Sequence, residues 1–416
     1  MDKTICELFA GVGGFRLGFE KNSSDWKTVW FSQWEPGKKN QWAHDCYIKH
    51  FGDCADLNGE YHTGEDIGTV DKSTIPNHAL LVGGFPCQDY SVANSLSVAK
   101  GIEGKKGVLW WQIREVLEIK QAPFGLFENV DRLLKSPAKQ RGRDFGIILA
   151  CLADLNYSAE WRVINAADYG AGQRRRRVFI FAYKNDTKYA ETQISKSAED
   201  IIMTDGFFAS AFPVNKCSSI KSQTSLFGDT DISQTVIDYS NIPEISNSFR
   251  YDFSNAGLMT NGKIFTIRTE PIYEKPITLR EMVESNADSK YYLGDNLEKW
   301  NYLKGAKRIQ RTSKNGHEYT FSEGAISFPD SLDLPARTML TSESSLNRST
   351  HVIEDPATKA LRILTPVETE RIQGFDDDWT NTGMPEKFRY FCMGNALVVP
   401  LITRMATSLG RIIENE

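Results

Sequence analysis

The chain has 416 residues, 40% hydrophobic and 25% charged, with 49 Lys and Arg against 54 Asp and Glu and a formal net charge of −5. That composition suits a soluble globular protein of two domains, or of one domain with a large insertion, and excludes a disulfide-stapled miniprotein. The longest uncharged apolar runs, such as residues 79–85, fall far short of the roughly 20 residues that span a bilayer. No basic-then-apolar signal opens the chain, and the seven cysteines form no CxxC pair, so a cytosolic protein with reduced thiols and no metal is expected.

Over the first ~180 residues, apolar strand-like runs alternate with longer mixed segments, the pattern of a parallel sheet covered by helices. Strands are predicted at residues 4–9, 28–32, 79–82, 125–128, 158–165 and 177–183, and helices at 109–120 and 145–155. Residues 185–255 are rich in Ser, Thr, Asp and Asn and interrupted by Pro213 and Pro243, as in a loop-rich insertion. An amphipathic helix returns at 365–373, and an apolar segment over 397–413 closes the chain. The boundaries predicted are a larger α/β domain of residues 1–184 and 386–416 and a smaller irregular domain of residues 185–385.

Charge is distributed unevenly. The net acidity argues against a nucleic-acid partner, yet residues 95–180 carry fifteen Lys and Arg against nine Asp and Glu, and residues 299–314 carry six with no acid. An acidic chain of this kind can still present a basic cleft.

Four motifs carry chemistry. The first strand runs into Ala10-Gly11-Val12-Gly13-Gly14-Phe15, a glycine-rich turn that lets backbone approach a nucleotide-like cofactor, although a plain tight turn reads the same way. Arg16 stands where the dinucleotide fingerprint needs a small residue, which disfavours a nicotinamide cofactor. A second strand ends at Gly83-Gly84-Phe85-Pro86-Cys87-Gln88, placing a thiol in a loop at a strand's carboxyl end, where open α/β sheets bind ligands. Cys6 and Cys151 lie in apolar runs and read as buried hydrophobes. Cys87 instead precedes a polar stretch with Gly101, Gly104 and Gly107, like a lid, and Lys100, Lys105 and Lys106 can favour its thiolate. The third motif, Phe127-Glu128-Asn129-Val130, brings a carboxyl to the same edge as a proton donor to a ring nitrogen, or as an ordinary helix-start acid. In the fourth, Gln173-Arg174-Arg175-Arg176-Arg177, alternation sends Arg175 and Arg177 to one face, able to address an anionic or carbonyl-rich ligand.

Taken in order with Glu7-Leu8-Phe9 and Met393-Gly394-Asn395-Ala396, this series resembles the motifs of the DNA cytosine-5 methyltransferases, of the bacterial restriction-modification kind. The resemblance covers residues 1–184 and 333–416 and implies a Rossmann-like α/β sheet with helices on both faces, that binds S-adenosylmethionine. Residues 185–330 then stand in the place of the target recognition domain, where only Thr278-Leu279-Arg280 and Lys290-Tyr291-Tyr292-Leu293 look familiar.

The resemblance implies the following roles. Cys87 attacks C6 of a flipped-out cytosine, Glu128 meets N3 and the exocyclic amine, Arg177 holds the base O2, and Arg175 lines the same pocket. Phe9, Gly11, Val12, Gly13 and Gly14 cradle the methionine part of the cofactor. Trp34, Asp66 and Ile67 meet the adenine, and Pro86, Asn395 and Ala396 close the site. Here Ser32-Gln33-Trp34-Glu35 replaces the usual acid before the aromatic, so the ribose contact falls to Gln33 or Glu35. Gln88, Ser91, Arg280, Lys304, Lys307, Arg308 and Arg311 are the candidate DNA contacts, with a solvated helix face as the alternative reading of the last four. Arg337 and Arg348 belong to a stretch similar to the family's ninth motif, which supports the recognition domain.

Duplex DNA is the expected partner of a monomeric, cytoplasmic, nucleoid-associated enzyme without a membrane, with any restriction endonuclease acting independently. Two alternatives stand beside this reading: a tRNA cytosine-5 methyltransferase, which shares the catalytic motifs, and a catalytically inactive methyltransferase-like DNA-binding protein, which would have lost the nucleophile or the glycine turn, both present here.

Overall fold

A computed structural model describes residues 1–85, 109–137, 140–217, 234–236, 250–313 and 316–416. Its first half is built on β1 (Thr4–Leu8), β2 (Lys27–Ser32), β3 (Leu80–Gly84), β4 (Phe124–Val130), β5 (Tyr157–Asn165) and β6 (Arg176–Lys184). Short strands follow at β7 (Val214–Lys216), β8 (Gln234–Val236), β9 (Ala256–Thr260), β10 (Lys263–Ile267) and β11 (Thr269–Pro271). Further on come β12 (Lys307–Thr312), β13 (Glu318–Glu323), β14 (Val352–Glu354) and β15 (Leu361–Ile363).

Nine strands form one sheet in the order β2-β1-β3-β4-β6-β5-β9-β10-β8. The expectation of a parallel sheet holds only as far as β4. From β4 to β6, β6 to β5, β5 to β9 and onward, every pairing is antiparallel. Residues 256–267, expected in the small domain, thus extend the central sheet. The apolar runs could not reveal this, because a strand buried on both faces reads alike in either direction.

Alternation along the strands sends side chains to two cores. Cys6, Leu8, Leu81, Phe127, Val178 and Ile180 pack beneath the helices Leu109–Lys120 and Arg143–Asp154. On the other face, Ile5, Leu80, Val82, Leu126, Phe179 and Phe181 meet helix α1 (Gly14–Asn22) and the terminal helix Val399–Glu414. These two helices approach so closely that a Cβ on Gly18 would lie 2.5 Å from Ile402 Cβ.

A third core joins the two halves of the chain. Val12, Leu17, Ala43 and Cys46, the last two from helix α2 (Trp42–Phe51), pack with Leu279, Met339, Ile353, Ile372, Trp379 and Met393. The predicted helix at 365–373 forms as Pro366–Gln373, started by a Thr365/Glu368 capping box with Pro at its first turn. This core includes residues on both sides of position 385, from Leu279 to Val399, all packed against the glycine-turn end of the sheet. Among the described residues no single helix is long and apolar enough to cross a membrane.

Candidate active site

The order β2-β1-β3 has its reversal at β1 and β3, where the chain leaves in opposite directions and opens a crevice at the strands' carboxyl ends. Register brings the motifs to this edge: Leu8 lies beside Gly83, Gly84 beside Glu128, and Val130 beside Arg177. Adjacent strands are about 4.8 Å apart, so the end of β1 and Glu128 are separated by about 10 Å.

Phe9 opens the turn with a left-handed φ of 56°, a strained conformation for a non-glycine residue that costs roughly 1–3 kcal/mol. Gly13 (φ 86°) caps α1, and a Cβ there would fall 2.4 Å from the Phe51 ring. At Gly11 the same addition would meet nothing within 4 Å, leaving its outer side open to a ligand. Two distant side chains hold the turn. Gln33 Oε1 accepts the Gly11 N–H at 2.7 Å, and Trp379 Nε1 donates to the Val12 carbonyl at 2.8 Å. Trp379 is in turn stacked face to face on His50, whose Nε2 lies 2.7 Å from the Trp379 carbonyl.

Trp34 is 38% exposed just beyond β2, a free aromatic plate. Asp66 is half-buried and accepts the Gly68 N–H, while Ile67 is buried. Gln33, one of the two candidates for the ribose, already has its carbonyl oxygen engaged by the turn. The other, Glu35, is half-buried, with its carboxyl pushed up by burial and one buried oxygen, Oε2, unpartnered among the described residues.

Beneath the turn, Glu7 is fully buried and accepts a hydrogen bond from Tyr47 Oη at 3.0 Å. Burial pushes its carboxyl up to about 8, against the opposing pull of Tyr47, Arg16 and the backbone N–H groups at the start of α1. Its Oε1 is buried without a hydrogen-bond partner among the described residues. The open space at Gly11 and the exposed Trp34 indole fit a nucleoside-bearing cofactor such as S-adenosylmethionine.

Glu128 and Arg177 form an ion pair, Nε to Oε1 2.7 Å, and both are largely but not fully covered. Glu128 leans over β3, its Oε2 lying 3.3 Å from where a Gly84 side chain would begin. A side chain there would press on the Glu128 carboxylate. Asn129 Nδ2 donates to the Phe85 carbonyl at 2.9 Å and so fixes the backbone that leads into Pro86 and Cys87. Pro86, Cys87, Gln88, Ser91 and the expected lid over residues 89–107 lie outside the described residues.

Arg175 stands differently from the expectation. Its side chain is buried, and its two terminal nitrogens donate to the carbonyls of Met339 (3.2 Å) and Gly394 (3.0 Å). Burial first, then Arg177, pushes its guanidinium down to about 9. It ties the sheet edge to the segment before Asn395 instead of presenting donors to a pocket. Asn395 is exposed and Ala396 half-buried at the end of helix Glu386–Asn395.

Lys304 is the clearest correction among the predicted DNA contacts. It is buried, with Nζ donating to the Arg348 (2.9 Å) and Thr350 carbonyls, and burial lowers its pKa to about 8. A basic run was legible; which of its members points inward was decided by packing against residues 348–350. Arg280 is exposed and paired with Asp333, whereas Lys307 and Arg311 lie over the Tyr302 and Phe321 rings. Sequence reasoning missed Trp379 and gave Glu7 no role. A lone tryptophan after the acidic run 376–378, just past the Gly374 helix cap, was the available signal for Trp379.

A C-5 cytosine-specific DNA methylase family model matches residues 3–411. The chain is 52% identical over 412 residues to the Type II methyltransferase M.Sau3AI of Staphylococcus aureus, covering 98% of this chain and 95% of that one. It is 36% identical over 191 residues to the Type II methyltransferase M.NgoBI of Neisseria gonorrhoeae, covering 45% of this chain and 53% of that one. A Spodoptera frugiperda DNMT2 mutant shares the fold, with a TM-score of 0.58 at 14% identity over 98% of this chain and 99% of that one. The chain belongs to the C-5 cytosine-specific DNA methylase family and is an enzyme of that class.

Proposed function

We propose that the protein transfers a methyl group from S-adenosylmethionine to C5 of a cytosine flipped out of a short, specific duplex DNA sequence, as the modification enzyme of a restriction-modification system. The observation that carries this reading is the Glu128–Arg177 pair, set at the sheet edge beside the backbone that leads into Cys87.

In this mechanism Cys87, as thiolate, attacks C6 of the cytosine, forming the S–C6 bond. Glu128 donates a proton at N3, so the electron pair pushed into the ring makes C5 nucleophilic instead of leaving an anion. Before the base enters, Arg177 holds Glu128 in place through their ion pair; as that pair gives way Glu128 takes up its proton from water and Arg177 hydrogen-bonds O2. When bound, S-adenosylmethionine supplies an electrophilic methyl on a sulfonium. A water then takes the C5 proton, the C5–H electron pair re-forms the C5–C6 double bond and expels the Cys87 thiolate, and the N3 proton returns to Glu128. Flipping exposes C6 and costs a few kcal/mol, offset by contacts in the pocket. The glycine turn, Trp34, Asp66 and Ile67 hold the cofactor, with Asn395 and Ala396 beside them.

The test is bisulfite sequencing of unmethylated plasmid DNA after incubation with the full chain and S-adenosylmethionine. Protected cytosines in one short repeated sequence are expected, and none with Cys87→Ala. Protection that survives this substitution would remove Cys87 from the mechanism; no protection with the wild-type chain would remove the reaction.

A further inference from the structure

Strands β12 and β13 form a two-stranded ribbon separate from the main sheet, paired Arg308 to Ser322, Gln310 to Thr320 and Thr312 to Glu318. These six residues share one face by strand alternation, and all six are exposed. The opposite face carries Ile309 and Phe321, partly covered, with Arg311 over the Phe321 ring. A two-stranded ribbon alone is marginally stable in water, so its geometry must come from its root.

The root is bolted in place. Arg348 donates to the carbonyls of Leu303 (3.0 Å), Gly305 (3.2 Å) and Gly324 and pairs with Glu323 at 3.0 Å. Lys304 binds the Arg348 and Thr350 carbonyls from the other side. The same segment is gripped by Arg337, which donates to Ser349 O and Thr350 O and pairs with Asp330. Next to Arg337, Ala336 accepts the Arg174 N–H at 2.8 Å, and Met339 O accepts from Arg175. The ribbon root is therefore connected, bond by bond, to the start of the strand that carries Arg177.

We infer that the exposed face of this ribbon, with Arg308 and Gln310 at its centre, is the element that reads base edges in the DNA major groove. This rests on the reaction proposed above. The major groove admits a two-stranded ribbon. Alternate residues on a strand are about 7 Å apart, which matches two base-pair steps of about 3.4 Å. Arg308 is exposed, and its guanidinium has no ion-pair partner among the described residues. Gln310 Oε1 is oriented by the Thr320 hydroxyl at 3.1 Å, which leaves its amide N–H groups free to donate. Arginine and glutamine are the side chains that pair bidentately with guanine and adenine. Lys307 and Arg311 lie on the opposite face with Ile309, over the Tyr302 and Phe321 rings.

The experiment compares the full-length wild type with Arg308→Ala and Gln310→Ala on a library of duplexes, reading methylated contexts by bisulfite sequencing and cofactor affinity by calorimetry. Each variant should lose about 10- to 100-fold of its discrimination at one base-pair position, with cofactor affinity and melting temperature at wild-type values. Variants that keep wild-type selectivity in every position would overturn the ribbon assignment while the methylation reading stands. A wild-type chain that methylates no duplex cytosine would overturn both.

Discussion

Trp379 and Val12, 367 positions apart in the chain, are joined by a hydrogen bond from the indole nitrogen to the turn carbonyl at 2.8 Å. The bond is buried, so the C-terminal half of the molecule helps to set the shape of the glycine turn formed by its first residues. Gln33 fixes the neighbouring Gly11 N–H from β2. The turn is thus held through one donor and one acceptor supplied by two different parts of the chain.

Replacing Trp379 by Phe keeps the ring on His50 but leaves the Val12 carbonyl unpaired. An unsatisfied buried acceptor costs about 1–3 kcal/mol. Cofactor affinity should fall by about 5-fold or more in a calorimetric titration. An unchanged affinity would show that the turn keeps its shape without this bond.

Glu128 and Arg177 should act as a unit. Glu128→Gln and Arg177→Ala are each expected to lower the rate of methyl transfer by about 100-fold or more. Because each positions the other, the double variant should lose much less than the product of the two single losses. Full additivity in single-turnover rates would mean that the ion pair has no part in catalysis.

The basic run divides by burial. Lys304→Ala should lower the denaturation midpoint, since it removes the donor to two buried carbonyls, yet leave the salt dependence of DNA binding as it is. Neutralising Lys307 or Arg311 should instead reduce the slope of log affinity against log salt by about one each. A Lys304 variant with a flattened slope would return that residue to the phosphate-binding set.

Glu7 adds a pH dependence with a definite sign. Its carboxyl is held near 8 in the fold by burial, against about 4.3 when unfolded. Between those values the folded protein binds more protons than the unfolded chain, so this group makes stability fall as pH rises from about 4.3 to 8 and then level off. Glu7→Gln, which can still accept the Tyr47 hydroxyl, should make the urea midpoint flatter over that range. Parallel profiles for the two proteins would rule out this linkage.

Much of the site was legible because its motifs are local. A glycine turn after a strand needs positive φ within a few residues, and Gly11 and Gly13 supply it. Glu128 and Arg177 end up paired because their strands are neighbours and short-range alternation turns both toward the same edge. Arg175 and Lys304 were misassigned for the opposite reason. Whether a cation faces solvent or a buried carbonyl depends on what the chain brings against it from more than forty residues away, as Arg348 does for Lys304 and Gly394 for Arg175.

By itself, the amino-acid sequence determined the class of chemistry, the apolar strands, the helix signalled by Thr365, Pro366 and Glu368, and the order of the motifs, since each depends on residues within one turn or one strand. Only the tertiary structure decided that the sheet turns antiparallel after β4, that Trp379 holds Val12, and that Lys304 points inward. Those outcomes depend on satisfying buried donors and acceptors across long chain separations, and a linear pattern carries no record of which distant partner will arrive.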